Sequence, residues 1–94
     1  MDYRKVFCDR LRKVRLEKDL TQEVLSEAIR EPREKISQWE KGARFPGMAR
    51  LIIIADYLDV SLDYLVGRTD NRMPSEPTQV IEETVKNEDE NQMD

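Results

Sequence analysis

The chain has 94 residues and a formal net charge of −4, and its equal shares of hydrophobic and charged residues, 38% each, suit one small helical domain with a dense ionic surface. It contains no histidine and one cysteine, which excludes an internal disulfide, and any metal site or acid–base catalyst would have to be built from carboxylates alone. No segment approaches the roughly 20 apolar residues that cross a bilayer, and the N-terminus lacks an apolar signal-type region, so we expect a cytoplasmic chain without a membrane partner.

Two helices are predicted in the N-terminal third. A helix over 2–18 is predicted because apolar residues recur there at helical spacing. These residues are Tyr3, Phe7, Leu11 and Val14. Thr21 is a good N-cap, since its hydroxyl can accept hydrogen bonds from the free amides of the next turn. The second helix is therefore predicted over 22–29.

A tight break separates the second helix from a third. The residue before Pro32 is pushed away from the α-helical conformation, and proline itself suits the first position of a new helix, which we predict over 32–41. Ile36 and Trp39 are its predicted inward residues, and Trp39 is assigned to the core rather than to stacking on bases. Gly42 is predicted to end the helix in a left-handed conformation.

Two more helices complete the predicted body. The fourth covers 48–58. Its predicted inward residues are Leu51, Ile54, Ala55 and Leu58. Ile52 and Ile53 make this helix apolar nearly all round, so a second buried contact is expected. Ser61 is predicted to cap a short fifth helix over 62–66.

The composition shifts after residue 68 toward polar, proline-containing sequence that is typical of a linker. We therefore divide the chain into an all-α domain over 1–68 and a linker with an acidic tail over 69–94. Within the tail, residues 78–87 have the pattern of one short helix. Three of its apolar residues are predicted to dock on the body or on a second copy: Val80, Ile81 and Val85.

The second and third helices, joined at the break before Pro32, have the layout of a helix-turn-helix, in which the second helix of the pair lies in the major groove of DNA. Arginine can bind a guanine edge with two hydrogen bonds, glutamine can bind adenine in the same way, and glutamate can accept from cytosine. The polar face of the third helix offers these groups in Arg33, Gln38 and Glu34.

The charges are segregated along the chain. Residues 1–72 carry 15 basic and 13 acidic side chains, whereas residues 73–94 carry 1 and 7. The body is mildly basic, so the acidic total is compatible with DNA binding. A basic run in the first helix, with Arg10, Arg12 and Lys13, is equally consistent with a DNA-facing stripe and with a solvated surface.

Several stretches resemble the Xre-type, phage-repressor-like helix-turn-helix family. They are LRKVRLEKDLTQEVLSEAI, ISQWEKGARFP and IADYLDVSLDYLVG, and they follow one another between residues 11 and 68. The resemblance implies a compact five-helix, lambda-repressor-like domain. It also implies double-stranded DNA as the ligand and, usually, a homodimer.

The resemblance assigns roles to individual positions. The implied base contacts are Arg33, Glu34, Ser37 and Gln38. The implied phosphate contacts are Thr21, Gln22, Lys35, Lys41 and Arg44. Thr21 and Gln22 match the start of the second helix, where an anion is favoured. Arg15 and Glu40 match a pair of side chains that links the first helix to the end of the third.

The chain departs from the family pattern at the turn. Arg30, Glu31 and Pro32 stand where the family commonly has glycine, a small apolar residue and serine. A positive φ is less comfortable for arginine than for glycine, and the usual side-chain cap of the third helix is missing.

The function predicted from these observations is sequence-specific regulation of transcription, by a dimeric repressor that binds a palindromic operator. The alternative is a protein-interaction module such as an antitoxin or an anti-repressor. Its surface would consist of Ile52, Ile53, Tyr64 and Val66, which would serve a homodimer equally well.

We expect no enzymatic activity. The sequence has no histidine, no glycine-rich phosphate loop and no recognisable catalytic pair of carboxylates. It points to no cofactor, no metal and no small-molecule substrate.

Overall fold

The computed structural model describes residues 2–74, and this part of the chain forms five α-helices. They are α1 (Tyr3–Glu17), α2 (Gln22–Ile29), α3 (Arg33–Lys41), α4 (Met48–Leu58) and α5 (Leu62–Leu65). Between residues 2 and 74 there is no strand, which agrees with the predicted all-α class. None of these five helices is long and apolar enough to cross a membrane. The predicted helix over 78–87, with Val80, Ile81 and Val85, lies outside the described residues.

Side-chain caps start three of the helices. The Asp2 carboxylate accepts from two amides of the first turn of α1, at 3.1 and 3.2 Å. Thr21 Oγ1 accepts from the Val24 amide at 3.0 Å, and Ser61 Oγ accepts from the Tyr64 amide at 2.9 Å. Both caps that the sequence predicted are therefore present, and each satisfies a backbone donor that the helix itself leaves free.

Four predicted helix ends, in three helices, were wrong by one residue. Asp2 and Lys18 flank α1 as its caps, Pro32 is the N-cap of α3, and Val66 is the C-cap of α5. Each of these residues was predicted to lie inside its helix. Cap residues have only half of the helical hydrogen bonding, so local sequence patterns place them poorly.

One hydrophobic core joins all five helices. Its fully buried side chains include Phe7, Leu11, Val14, Leu25, Ile36, Ile54, Leu58 and Leu65. Trp39 is buried too, which confirms its assignment to the core. Tyr3 shares the apolar stripe of α1 but is exposed, because the buried part of the stripe begins one turn later at Phe7. Shortening any of the fully buried leucines to alanine would cost about 2–5 kcal/mol of stability.

Arg10 fastens the segment after α5 to α1. Its guanidinium donates to the carbonyl oxygens of Tyr64 and Thr69 and pairs with Asp70 at 2.8 Å. The same group lies 4.2 Å from the centre of the Tyr64 ring, a cation–π distance. Arg10 therefore acts within the fold, unlike either role that the basic run suggested.

Arg72 holds the same segment at a second point. Its carbonyl oxygen accepts from the Ser61 amide at 2.9 Å, and its guanidinium pairs with Glu17 at the end of α1. The chain thus stays hydrogen bonded to the helical body beyond residue 68, where we predicted the linker to begin.

Candidate nucleic-acid interface

The turn between α2 and α3 is built without glycine. Arg30 adopts the left-handed conformation, with φ 59° and ψ 48°. The Arg30 amide donates to Glu27 O at 3.3 Å and the Glu31 amide donates to Ser26 O at 2.9 Å. These two bonds form a Schellman motif, in which glycine normally occupies the left-handed position. An L-residue there loses about 1–2 kcal/mol, so other contacts must hold the turn.

The Glu31 side chain supplies such contacts. Its carboxylate pairs with Arg50 Nε at 2.8 Å and with Lys35 Nζ at 3.3 Å. Arg50 Nη1 also donates to the Ile29 carbonyl oxygen at 2.9 Å. We call Glu31, Arg50 and Lys35 the turn clamp: Arg50 fastens the turn to the first turn of α4, and Lys35 links Glu31 to α3.

The turn clamp was missed in the sequence. The signal that points to it is Arg50 in the first turn of α4, a turn without an acidic residue. The helix dipole disfavours a cation at that end of a helix, so a cation there indicates a partner elsewhere in the fold.

The inner face of α3 is apolar and the outer face is polar. Ile36 and Trp39 are buried, and α3 packs against α1 and α2, which orients the helix. Arg33, Glu34 and Lys35 are exposed at its N-terminal end. Ser37 and Gln38 follow one turn later and are half-buried. The first two turns of α3 therefore carry every base contact that the family resemblance implied.

Arg15 and Glu40 lie together under the end of α3. The guanidinium binds the carboxylate with two bonds, at 2.6 and 3.0 Å, and donates to the Leu20 carbonyl oxygen at 2.6 Å. The hydrogen bond to Glu40 raises the pKa of Arg15 above its ordinary value, so the guanidinium stays protonated. The arrangement ties α1, the α1–α2 connection and α3 into one unit.

Gln22 joins this cluster from the start of α2. Its amide nitrogen donates to Glu40 Oε1 at 3.1 Å, which uses one of its two N–H groups. The other N–H remains for an outside acceptor. Thr21, beside it, is exposed at the N-terminus of α2, where the helix dipole favours an anion.

The loop after α3 is basic and firmly anchored. Gly42 has φ 78°, and the Ala43 amide donates to Gln38 O at 2.9 Å, which forms a second Schellman motif. The Phe45 ring packs edge-on against Phe7 with 5.0 Å between ring centres. Lys41 and Arg44 are exposed and, within residues 2–74, have no ion-pair partner. No acidic residue occurs from 41 to 55.

An open cleft of about 400 Å³ lies between α3 and the start of α4. Trp39 and Phe45 are part of its wall, and three cations line it: Lys35, Arg44 and Arg50. The cleft thus brings two of the implied phosphate contacts, Lys35 and Arg44, next to the turn clamp.

Cys8, on α1, contacts the backbone at the end of α3. Its half-buried thiol donates to the Glu40 carbonyl oxygen at the end of α3. Burial, and then the nearby charge of Asp9, raise the pKa of this thiol. The protonated form is therefore favoured at neutral pH, as suits a packing role.

An apolar patch lies on the outer side of α4. Its residues are Met48, Ile52, Ile53 and Tyr57, which are 40–64% exposed. Two members of the interaction surface predicted from the sequence do not fit it. Tyr64 is only 5% exposed, because its ring lies beneath Arg10 and Arg72, and Val66 is half-buried.

These features together define a helix-turn-helix DNA-binding domain. Residues 11–65, more than half of the chain, match the family model described as helix-turn-helix. The chain belongs to the Xre-type helix-turn-helix family, whose members are DNA-binding regulators of transcription.

Three regulators have related sequences. The helix-turn-helix-type transcriptional regulator YobD of Bacillus subtilis is 32% identical over 84 residues, which are 89% of this chain and 75% of YobD. The transcriptional activator BcrR of Enterococcus faecalis is 38% identical over 60 residues, and YqaE of B. subtilis is 39% identical over 61. These matches span 64% and 65% of this chain but only 29% of BcrR and 53% of YqaE.

One solved structure shares the fold. The restriction-modification controller protein C.AhdI from Aeromonas hydrophila superposes with a TM-score of 0.62 and 29% sequence identity. The superposition covers 66% of this chain and 94% of C.AhdI.

Proposed function

We propose that this protein is a sequence-specific transcriptional repressor that binds a palindromic DNA operator as a homodimer. The observation that carries the proposal is the orientation of α3. Its apolar side is fixed by Ile36 and Trp39, and its opposite side presents Arg33 and Gln38 beside a basic loop. This is the arrangement that a recognition helix needs in the major groove.

Bases are read by the first two turns of α3. Arg33 suits a guanine edge and Gln38 suits an adenine edge, each with two hydrogen bonds. Glu34 suits the amino group of cytosine, although its charge is repelled by nearby phosphates, so it discriminates less strongly than Arg33. Ser37 lies next to Gln38, and its hydroxyl can donate or accept a hydrogen bond at a base edge.

Phosphates are bound on both sides of α3. Lys41 and Arg44 contact the backbone from the loop after α3, and Lys35 does so from α3 itself. On the other side, the free N–H of Gln22 and the N-terminus of α2 at Thr21 take a second phosphate. Contacts of this kind fix the position of the protein on the duplex but carry no sequence information.

The second subunit docks on the apolar patch of α4. Exposed isoleucines such as Ile52 and Ile53 gain about 25 cal/mol for each Å² removed from water, and a two-fold interface buries the same patch on both copies. Two recognition helices then read half-sites about 34 Å apart, one helical turn of DNA. A dimer seated in this way on a promoter blocks access to it, which is the basis of repression.

The test is equilibrium binding of the purified full chain to fluorescent duplexes. A pool of random duplexes is first used to select the preferred sequence. We expect a palindromic selected site and an affinity that falls linearly on a logarithmic salt scale, with a slope of about −0.9 for each neutralised phosphate. Absence of duplex binding even in dilute buffer would remove DNA recognition from the proposal.

The interaction-module alternative rests on the same α4 patch. A chain that remains monomeric, ignores duplexes and binds a second protein through Ile52 and Ile53 would be an antitoxin or an anti-repressor. Measuring mass by light scattering beside the DNA titration separates the two functions. The sign of regulation is tested on a reporter promoter carrying the selected site, since activation rather than repression would place the chain with activators such as BcrR.

A further inference from the structure

The N-terminal end of α3 is the least supported part of the proposed recognition helix. Pro32 provides no side-chain cap there, and the first buried residue of α3 is Ile36, a turn inside the helix. Arg33 and Glu34, two of the proposed base contacts, lie in that first turn. Their position therefore depends on the turn that precedes them.

The turn clamp grips this turn on both sides of its left-handed residue. Arg50 Nη1 holds the Ile29 carbonyl oxygen just before Arg30, and Arg50 Nε holds the Glu31 carboxylate just after it. The Glu31 side chain is only 13% exposed, so its bond to Arg50 is shielded from water. One side chain of α4 thus restrains the backbone torsions of Arg30 from both neighbours.

A change at Arg30 displaces the first turn of α3 most, because Ile36, Trp39 and Glu40 hold the rest of the helix against the body. Arg33 lies about 4.5 Å along the helix axis before Ile36, so a tilt of about 10° that pivots at Ile36 moves the backbone of Arg33 by roughly 0.8 Å. Hydrogen bonds to base edges tolerate a displacement of the side chain of only about a few tenths of an ångström. A loosened turn thus spoils the contacts that distinguish bases before it weakens contacts to phosphates, which tolerate more displacement.

From this geometry we infer that Arg50 is a positioning residue for sequence discrimination, acting through Glu31 and the Ile29 carbonyl to set the angle of α3. The inference rests on the proposed function and extends it, since Arg50 need not touch a base. Lys35 has a different part in the turn clamp. It lies 3.3 Å from Glu31 and is 54% exposed, so it can leave Glu31 for a phosphate while Arg50 keeps the carboxylate.

The experiment compares affinities for the selected operator and for a scrambled duplex. Unfolding a fraction of the protein lowers both affinities by the same factor. The ratio of operator affinity to scrambled-duplex affinity therefore reports the orientation of α3 rather than the stability of the protein. For Arg50→Met we expect the ratio to fall about tenfold. Lys35→Met removes a cation from the same carboxylate, and we expect it to weaken both duplexes equally and leave the ratio unchanged.

Arg68→Met is the matched control. Arg68 forms an exposed pair with Asp63 of α5, outside α3 and the turn clamp, and its loss changes the net charge as Arg50→Met does. The ratio should stay at the wild-type value. A comparable fall in this control would show that charge alone sets the ratio, and the positioning role would be rejected.

A double-variant cycle tests whether Glu31 carries the effect. Glu31→Gln alone should lower the ratio, and Glu31→Gln with Arg50→Met should lower it no further than Arg50→Met does, because both break the same contact. Arg50→Lys keeps the charge but loses one of the two contacts, so its ratio should lie between wild type and Arg50→Met. If Arg50→Met fails to fold, the affinity ratio of Arg50→Lys is the measurement that tests the inference.

Two results would overturn the inference. One is an Arg50→Met or Arg50→Lys variant that retains the wild-type ratio, and the other is a strictly additive cycle. Either can occur with a wild-type protein that discriminates well, which leaves the proposed function intact. A wild-type protein that binds no duplex rejects the proposed function and this inference together.

Discussion

Arg15 and Glu40 form a bidentate ion pair that connects α1 to the last turn of α3, with N–O distances of 2.6 and 3.0 Å. Both residues are more than nine-tenths buried. Losing either partner of such a pair leaves an uncompensated charge out of water. The pair therefore makes the orientation of α3 depend on α1.

Removing one partner of this ion pair should destabilise the protein strongly, whereas replacing both partners should destabilise it only slightly. We expect Arg15→Ala to lower the free energy of unfolding by about 3–5 kcal/mol, since Glu40 remains buried without its cation. The double variant Arg15→Met with Glu40→Leu should lose much less, because apolar side chains of similar size fill the same space. Urea titrations followed by circular dichroism measure both. Equal losses in the two proteins would show that packing, rather than the unpaired charge, dominates.

Gln38 and Lys41 should affect DNA binding in different ways. Gln38→Ala is expected to cost about 1–3 kcal/mol at one base position and to relax preference there, since two hydrogen bonds to a base edge are lost. Lys41→Ala should weaken all duplexes alike and reduce the salt slope by about one. Binding to single-base variants of the operator at several salt concentrations separates the effects. An unchanged preference in Gln38→Ala would remove Gln38 from the base-reading set.

The sequence predicts the helices well because local patterns determine them. Phe7, Leu11 and Val14 recur at helical spacing, and the predicted bounds of α2 and α4 agree with the structure. Tyr64 could not be placed in the same way, since a four-residue helix has too few residues to define a face. Its burial comes from Arg10 and from the segment after α5, both distant in sequence.

Some residues of the candidate site can likewise be predicted from local spacing, whereas others depend on tertiary packing. The residues on α3 follow from the helix-turn-helix layout, because their order along one helix fixes which face they share. The turn clamp joins Glu31 to Arg50, 19 residues away, and such a pair depends on how α4 packs against the turn. Local spacing carries no information on that packing, so only the structure reveals why a turn without glycine is held.

The apolar patch on α4 makes a prediction about assembly. Ile53→Glu places a charge in the proposed subunit interface, where it would be desolvated, so we expect the dimer to dissociate into monomers. Leu16→Glu is a fair control, because Leu16 is also exposed but lies on α1, away from the patch. Light scattering over a range of concentrations measures the mass. Dimers that survive Ile53→Glu would place the interface elsewhere.

Replacing Arg30 by glycine should stabilise the protein. Arg30 is held at φ 59°, a conformation that costs an L-residue about 1–2 kcal/mol and glycine nothing, while glycine gives back up to about 1 kcal/mol through the freer unfolded chain. We expect a net gain of about 0.5–1 kcal/mol in thermal or urea unfolding. Lys18→Gly, at a cap with φ −94°, should bring no gain. A loss of stability in Arg30→Gly would mean that the arginine side chain makes a compensating contact.

The pair of Glu17 and Arg72 makes the stability of the protein, through the segment after α5, depend on pH. The hydrogen bond from Arg72 lowers the pKa of Glu17 in the folded protein below its ordinary value. A carboxylate with a lowered pKa contributes stability above its unfolded pKa, and that contribution disappears as the pH falls through the folded pKa. Arg72→Gln should therefore be less stable than wild type at neutral pH, and the difference should shrink in acid.

NMR titration of the Glu17 carboxyl carbon tests the cause directly. In Arg72→Gln the Glu17 pKa should return toward its ordinary value. In Lys5→Gln, which breaks an exposed pair with Asp9 elsewhere on α1, the Glu17 pKa should stay where it is in wild type. A Glu17 pKa that does not respond to Arg72→Gln would assign the shift to other charges, such as Lys13 and Lys18. The segment after α5 would then be held by the Arg10 contacts, the two hydrogen bonds from Ser61 and the cation–π contact of Arg72 with Tyr64.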